Sequence, residues 1–197
     1  MHTKPQLVLD IGGVLLTNLS PQFWQELTAA TTISHSELTA RYQAQMSPSL
    51  WSGRISEDQF WDWLCEQCST IDGPSARELL QAKLQPLPAL DLLPEWSRLA
   101  DIHILSNHRT EWIAPRLTEV QQFITSMTIS SIVGVAKPNL DIYKLAASRL
   151  NPNQRILFVD DKETNLLEAS RLGWHTLLAD EEGRWLGQVI PQLSASY

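Results

Sequence analysis

Basic residues, cysteine and long apolar runs are all scarce in this chain of 197 residues. Its 15 Lys and Arg stand against 22 Asp and Glu, which gives a formal net charge of −7. No basic field is therefore present to attract nucleic acid or an anionic membrane surface. No stretch approaches the ~20 apolar residues of a membrane-spanning helix, and two cysteines cannot form a disulfide framework. We therefore expect a cytoplasmic protein with no nucleic-acid or membrane partner.

Strand and helix patterns alternate along most of the chain. Hydrophobic residues make up 43% of the sequence, enough for one well-packed domain. Strand patterns occur in QLVLD, DIHILSN, ITSMTISSIVG, RILFVDD and WHTLLA, and helical patterns separate the later ones. Such alternation is typical of a parallel sheet with helices on both faces. The sequence therefore predicts an α/β fold with a three-layer, Rossmann-like core and a mainly parallel sheet.

A long helical segment interrupts this core after the first strand. Between residues 17 and 88 no convincing strand occurs, and four helical patterns surround PQFWQELTAA, SELTARYQAQM, SEDQFWDWLCEQC and SARELLQAKL. Ser36, Ser56 and Ser75 have the positions of helix N-caps. The predicted organisation is a core of residues 1–16 and 89–197 with an inserted α-helical cap of residues 17–88.

Polar residues stand where the predicted strands end. Taken singly, each of them also suits an ordinary turn or a helix cap. In parallel sheets, however, ligands bind beyond the carboxyl ends of the strands, so these side chains should converge on one crevice. The converging residues are Asp10, Ser106, Asn107, Asp160 and Asp161, with Lys137 after the third strand.

This set of side chains suits phosphate chemistry with a metal ion. Clustered carboxylates raise one another's pKa unless a cation lies among them, and oxygen ligands suit Mg²⁺. One carboxylate can then remain ionised and attack phosphorus, while Lys137 and Mg²⁺ neutralise the phosphoryl oxygens. Ser106 and the backbone N–H groups of the Gly12–Gly13 turn are expected to donate further hydrogen bonds to the phosphate.

Four segments together resemble the motifs of the haloacid dehalogenase-like (HAD) hydrolase superfamily, which consists chiefly of phosphatases. They are LVLDIGGVLL, ILSN, AKP and FVDDKETN, in the family's order, and the helical segment takes the place of its small cap. The resemblance implies that Asp10 is the nucleophile that forms an aspartyl-phosphate and that Ser106 binds phosphate. It also implies Mg²⁺ held by Asp10, the carbonyl of Gly12 and Asp161, with Asp160 as a companion ligand or a neighbour of the ligands.

The sequence departs from the family pattern two residues after the nucleophile. Phosphatases of the family usually carry a second Asp there as general acid and base, whereas this chain has Gly12. Such catalysis contributes ~10²–10⁴-fold in rate. Three interpretations are open: substrates with good leaving groups, replacement of the acid by a cap residue or water, or a protein that turns over slowly. His108, directly after Asn107, is a candidate for the missing acid and for a substrate contact. Asn165 is a weaker candidate for supporting the metal ligands.

Substrate choice is expected to depend on the cap. In LWSGRISEDQFW, Gly53 permits a tight turn, and Arg54 either reaches an anionic substrate or points into solvent. Trp51 either packs within the cap or lines a pocket for a sugar or a ring. A branch of the family that has Gly in place of the second Asp includes sugar-phosphate phosphatases, so a sugar phosphate or a nucleotide is the expected substrate.

The resulting prediction is a Mg²⁺-dependent phosphatase of small phosphorylated metabolites that acts as a monomer or weak homodimer. Slow turnover is expected where nothing replaces the general acid at Gly12. A 2-haloacid dehalogenase is one alternative, because it uses the same nucleophile on carbon without a metal. The Asp160–Asp161 pair argues against it, since such an enzyme has no need of the pair. The other alternative is a phosphate-binding pseudoenzyme with weak turnover, which the glycine at position 12 suggests.

Overall fold

The computed structural model describes residues 4–29 and 31–194. Its five strands form one sheet whose neighbouring strands all run parallel. The strands are β1 (Gln6–Leu9), β2 (Asp101–Ser106), β3 (Ile124–Ile129), β4 (Ile156–Asp160) and β5 (His175–Leu178). The order across the sheet is β3–β2–β1–β4–β5. The central position of β1 brings its carboxyl end between those of β2 and β4, and the α/β prediction is confirmed.

In the described part of the chain, five helices lie between β1 and the return of the chain to the sheet. They are α1 (Gln22–Ala29), α2 (His35–Gln45), α3 (Ser47–Trp51), α4 (Glu57–Gln67) and α5 (Gly73–Lys83). Their apolar faces pack on one another around an aromatic-rich cluster. The two chain segments that lead into and out of this insertion lie side by side, since Leu16 and Pro86 form an isolated bridge. The boundaries of core and cap at residues 17 and 88 stay a prediction.

The remaining helices flank the sheet. They are α6 (Pro88–Leu99), α7 (Thr110–Leu117), α8 (Ser130–Val133), α9 (Leu140–Ala147), α10 (Glu163–Arg171) and α11 (Leu186–Ser194), with a short 3₁₀ turn at Gln121–Phe123. Alternate strand residues point to opposite faces. In β1, Leu7 and Leu9 pack in one core cluster and Val8 in another. None of the described helices has the length and apolarity that a membrane span requires.

The cap rests on the beginning of α7. Arg109, the N-cap residue of α7, is buried, and its guanidinium donates to the carbonyl oxygen of Ile55 at 2.8 Å. Trp112 packs in the aromatic cluster of the cap, and its indole N–H donates to Glu57 Oε2 at 2.7 Å. A helix of the core thus forms part of the cap's packing.

Two of the predicted helix N-caps are wrong, because other side chains take the capping position. Ser56 is confirmed as an N-cap with a full capping box, whereas Ser36 and Ser75 lie within the first turns of their helices. Ser34 and Asp72 cap those helices instead, because their side chains accept the N–H groups of the third helical residues. The third strand ends at residue 129, after which α8 forms, and neither α3 nor α11 was predicted.

Candidate active site

Asp10 follows the central strand directly and is almost fully buried, with 6% of its surface exposed. The backbone N–H of Ile11 donates to its Oδ1 at 2.7 Å, and Lys137 Nζ lies 3.0 Å from its Oδ2. The Ser106 hydroxyl adds a third hydrogen bond. The carboxylate is therefore fixed in orientation by groups from the turn after β1, the end of β2 and the loop between α8 and α9.

Lys137 lies between two carboxylates in the interior. Its ammonium donates to Asp160 Oδ2 at 2.5 Å and to the carbonyl oxygen of Leu105 at 2.9 Å, in addition to its contact with Asp10. An ammonium has three N–H groups, and here each of them has a partner. The lysine predicted to bind phosphoryl oxygens is thus held firmly beside the predicted nucleophile.

The charges in this cluster shift one another's pKa values. Burial works to raise the pKa of Asp10, but the positive charge of Lys137 and the hydrogen bonds from Ser106 and Ile11 outweigh it and lower the pKa. Burial lowers the pKa of Lys137, yet Asp10 and Asp160 raise it by more. Asp10 is consequently ionised at neutral pH, as a nucleophile must be.

Asp160 differs from Asp10 in both hydrogen bonding and pKa. Burial, followed by the charge of Asp10, raises the pKa of Asp160 to about 7 against the opposing effects of Lys137 and Asn165. Its Oδ1 accepts hydrogen bonds from the Lys162 backbone N–H and from Asn165 Nδ2, each at 2.9 Å. Together with Lys137, these donors occupy both oxygens. The contacts suit a residue that positions Lys137, and Asn165 supports Asp160.

Asp161 retains an unused oxygen. Its Oδ2 accepts a hydrogen bond from Asn18 Nδ2 at 2.9 Å, while its buried Oδ1 has no hydrogen-bond partner. One carboxylate oxygen from each of Asp10, Asp160 and Asp161 lies within 4.8 Å of the other two. A buried carboxylate oxygen without a donor is costly unless a cation satisfies it, and a set of hard oxygens suits Mg²⁺. The residues present therefore fit a magnesium ion.

The two glycines after Asp10 leave room for this arrangement. Gly13 has φ +72°, and a Cβ placed on it would lie 2.6 Å from Asp161 Oδ2. A Cβ on Gly12 would lie 2.8 Å from Asn18 Oδ1. Asn18 thus occupies space close to where the family's second Asp would begin. Sequence reasoning missed Asn18, which lies in an irregular segment with no periodic signal.

We expect Gly13→Ala to weaken Mg²⁺ binding about tenfold or more, because its methyl group displaces the Asp161 carboxylate. Calorimetric titration with MgCl₂ measures this affinity directly. Gly134→Ala is a matched control, since Gly134 also has a positive φ of +80° but nothing lies within 4 Å of its added Cβ. Both variants should lose about 1–3 kcal/mol of stability through backbone strain. Equal Mg²⁺ affinity in the two variants would contradict the assignment of Asp161 as a ligand.

Asn107 and His108 both lie at the carboxyl end of β2 and line the cavity above Asp10. The Asn107 amide accepts the Lys137 backbone N–H at 2.7 Å and donates to the Lys137 carbonyl oxygen at 2.8 Å. Its side chain therefore anchors the main chain of Lys137.

The environment of His108 bears on the proposal that it replaces the missing acid. The ring is buried, and its Nδ1 accepts the Arg109 backbone N–H at 3.0 Å. Burial lowers the pKa of His108 to about 4, more than the negative charge of Asp10 raises it. The imidazole is therefore neutral at neutral pH, which makes it a weak proton donor.

Arg54 is exposed and is absent from the described residues that line the cavity. Arg109 is the buried arginine at this side of the molecule, and it donates to the carbonyls of Leu50 and Ile55 on either side of the Arg54 turn. The sequence offered no sign of this role, because a single arginine after a strand end ordinarily lies in solvent.

A cavity of about 530 Å³ connects the cluster to the cap. At its core end lie Asp10, Ser106 and Lys137, and at its cap end lie aromatic side chains that include Trp51 and Phe60. This volume falls within the range of small-molecule sites.

Comparison with solved structures gives the fold. A HAD family enzyme from Bacteroides thetaiotaomicron superposes with a TM-score of 0.80, at 20% identity over 94% of this chain and 98% of that one. The same enzyme has been solved in complex with magnesium and inorganic phosphate. A HAD-like family hydrolase from Porphyromonas gingivalis gives a TM-score of 0.76, at 23% identity over 98% of this chain and 100% of that one.

A dehalogenase also superposes over the full length of both chains, with a TM-score of 0.65 and 18% identity. No protein-family model matches the sequence, and no curated protein matches it. The structural similarity covers nearly the whole chain, cap segment included, and agrees with the order of the four motifs. The chain therefore has the fold of the HAD-like hydrolases.

Proposed function

We propose that this protein is a Mg²⁺-dependent phosphatase that acts on small phosphorylated molecules through an aspartyl-phosphate. One observation carries the proposal: an ionised, rigidly held Asp10 faces a cavity beside the buried, unpartnered oxygen of Asp161. An ionised, fixed carboxylate such as Asp10 is suited to act as a nucleophile. A carboxylate oxygen without a donor, as in Asp161, is suited to bind a cation.

In the proposed reaction, a carboxylate oxygen of Asp10 forms a bond to phosphorus as the bond from phosphorus to the leaving oxygen breaks. Water then attacks the phosphorus of the aspartyl-phosphate, the bond to Asp10 breaks, and inorganic phosphate is released. Two steps with a covalent intermediate replace one difficult displacement.

The neighbouring side chains have separate tasks in this scheme. Lys137 keeps Asp10 ionised and would offset negative charge on the phosphoryl group. The Ser106 hydroxyl, which donates to Asp10, would donate to a phosphoryl oxygen instead when substrate binds. We assign Asp10, Asp161 and the carbonyl of Gly12 as the groups that would hold Mg²⁺, with Asp160 positioning Lys137. When bound, Mg²⁺ supplies positive charge that reduces the repulsion between the carboxylate and the phosphate.

Dehalogenation is less well supported. The HAD-like fold accommodates a dehalogenase, but a carboxylate oxygen left buried without a partner has no purpose in a reaction without metal. The proposal includes a small phosphorylated substrate. It also includes a protein that is monomeric or weakly dimeric.

Phosphate release from a panel of phosphomonoesters and acetyl phosphate, with MgCl₂ or EDTA, tests the proposal. We expect release with Mg²⁺ only, and its loss in Asp10→Asn, which keeps the size of the side chain but removes its charge. Release of halide from 2-haloacids in EDTA would support the dehalogenase instead. Tight phosphate binding without release from any compound would indicate a pseudoenzyme.

A further inference from the structure

The cap end of the cavity is built largely from aromatic rings. Six aromatic side chains line the cavity: Phe23, Trp24, Tyr42, Trp51, Phe60 and Trp112. Trp51 is half-buried, and its ring centroid lies 5.7 Å from the ring of His108 and 5.7 Å from that of Trp112, both in edge-to-face contact. A flat ring that extends from a phosphate at Asp10 toward the cap would therefore meet aromatic side chains, which favour edge or face contacts.

The charged side chains of the cavity lining all lie at its core end. Among the described residues that line the cavity, the charged side chains are Asp10, Lys137 and Lys162, and residues 17–88 contribute none. A second anionic group on the substrate would thus find no cation at the cap end, and its burial there would be costly. The part of the substrate beyond the phosphate is consequently neutral.

Two of the polar side chains that line the cavity already have hydrogen-bond partners in the protein. The Thr17 hydroxyl donates to the Lys83 carbonyl oxygen and accepts the Gln85 backbone N–H. Asn18 is hydrogen-bonded to Asp161. Ser20, Gln43 and Ser47 also line the cavity, so hydrogen bonding alone does not distinguish a sugar from an aromatic ring.

The absent general acid restricts the leaving group as well. Position 12 is glycine, the Asn18 amide beside it does not release a proton, and the pKa of His108 is lowered to about 4. The leaving oxygen must therefore depart without full protonation. A phenolic oxygen tolerates this, because its pKa is about 10, as in tyrosine, whereas an aliphatic alkoxide is a far stronger base.

From the aromatic lining, the lack of charge at the cap end and the missing general acid, and resting on the proposed phosphatase function, we propose that the substrate is an aryl phosphate: a phosphate monoester of a small, otherwise uncharged phenol. The bond between phosphorus and the aryl oxygen breaks, its electron pair stays on that oxygen, and Asp10 takes the phosphoryl group. Water then releases phosphate, and the phenolate takes a proton that this water loses. The net reaction converts an aryl phosphate and water into a phenol and inorganic phosphate.

Three phosphate esters of similar size distinguish the effect of the aromatic ring on binding from the effect of the leaving oxygen on turnover. Phenyl phosphate has an aromatic ring and a phenolic oxygen, benzyl phosphate has the ring with an aliphatic oxygen, and cyclohexyl phosphate has neither. With Mg²⁺ present, we expect kcat for phenyl phosphate to exceed that for benzyl phosphate by about 10²-fold or more. We expect KM for benzyl phosphate to be about three- to tenfold lower than for cyclohexyl phosphate.

A binding experiment gives a readout without turnover. Phenylphosphonate and cyclohexylphosphonate cannot be cleaved at a phosphorus–oxygen ester bond, and their affinities are measurable by calorimetry. We expect tighter binding of phenylphosphonate, and loss of this preference in Trp51→Leu. Trp63→Leu serves as control, since Trp63 lies in the cap but is absent from the described cavity lining. Trp51→Phe should retain the preference and shows that the ring, rather than folding of the cap, is responsible.

The outcomes separate this inference from the proposed function. No release from any ester or from acetyl phosphate would overturn the phosphatase function itself. Equal kcat/KM for cyclohexyl and phenyl phosphate would leave a phosphatase but overturn the aryl preference. O-phosphotyrosine, whose ring carries a charged amino acid end, should have a higher KM than phenyl phosphate. A lower KM would overturn the assignment of a small, uncharged phenol and indicate a phosphotyrosine-containing substrate.

Discussion

Replacing Lys137 by Met is expected to reduce phosphate release by about 10²–10³-fold or more and to destabilise the fold by about 3–5 kcal/mol. The ammonium is fully enclosed and contacts Asp10, Asp160 and the Leu105 carbonyl oxygen. Without it, two carboxylates whose oxygens lie within 4.8 Å of each other stay buried with no balancing charge. Breaking a buried ion pair on one side is costly for this reason.

The loss of unfolding free energy in Lys137→Met should be larger at high pH than at low pH. In the variant, mutual repulsion raises the pKa of a buried carboxyl above its value in the unfolded chain, as burial already does for Asp160. An acid with a raised pKa in the folded state binds more protons when folded, so the free energy of unfolding falls as pH rises through that range. The variant should therefore lose more stability, relative to the wild type, at about pH 8 than at about pH 5.

Urea denaturation in EDTA at both pH values measures this effect without contributions from metal ions. Lys144→Met is a matched control, because Lys144 is exposed and pairs with Asp141 on the surface of α9. It should change the free energy of unfolding by less than about 0.5 kcal/mol. The double variant Lys137→Met with Asp160→Asn should recover part of the loss, since it removes one of the two buried charges. A Lys137→Met variant as stable as the control would contradict the buried triad.

The sequence was sufficient to predict which core residues meet. Parallel strands deliver the residues at their carboxyl ends to one edge, so Asp10, Ser106 and Asp160 converge once the strands are recognised. The same reasoning predicted Lys137 nearby because it follows the third strand pattern, although α8 lies between β3 and Lys137 in the structure. Residues at the ends of regular strands can be located from the hydrophobic pattern of the sequence alone. The chemical roles of these residues stay predictions until activity is measured.

Other parts of the site depend on contacts between segments far apart in the chain. Asn18 reaches Asp161, 143 residues away, from an irregular stretch whose path follows the pairing of Leu16 with Pro86. Arg109 is buried because carbonyl groups of the cap, more than 50 residues earlier, accept its hydrogen bonds. Neither residue belongs to a periodic pattern. Propensity and spacing therefore carry no signal for them, and only the tertiary structure shows their partners.

The second large effect expected is a gain of activity in Gly12→Asp combined with Asn18→Ala. The new carboxyl group would supply the proton that an aliphatic leaving oxygen requires, which raises kcat for benzyl phosphate by about 10²- to 10⁴-fold. Gly12→Asp alone should gain much less, because its Cβ would lie 2.8 Å from Asn18 Oδ1 and push Asn18 away from Asp161. Asn18→Ala alone should show no gain, since it supplies no acid.

Steady-state kinetics of these variants with benzyl and phenyl phosphate distinguish an acid from a change of shape. Phenyl phosphate should gain little, because a phenolate departs readily without a proton. Gly12→Asn with Asn18→Ala is the matched control, having the same size at position 12 but no acidic proton. Activity of the Asp variant on benzyl phosphate should fall as pH rises through the pKa of the new carboxyl, because only its protonated form donates. If the Asn control gained as much as the Asp variant, relief of crowding rather than proton transfer would limit turnover, and Gly12 would not mark a missing acid.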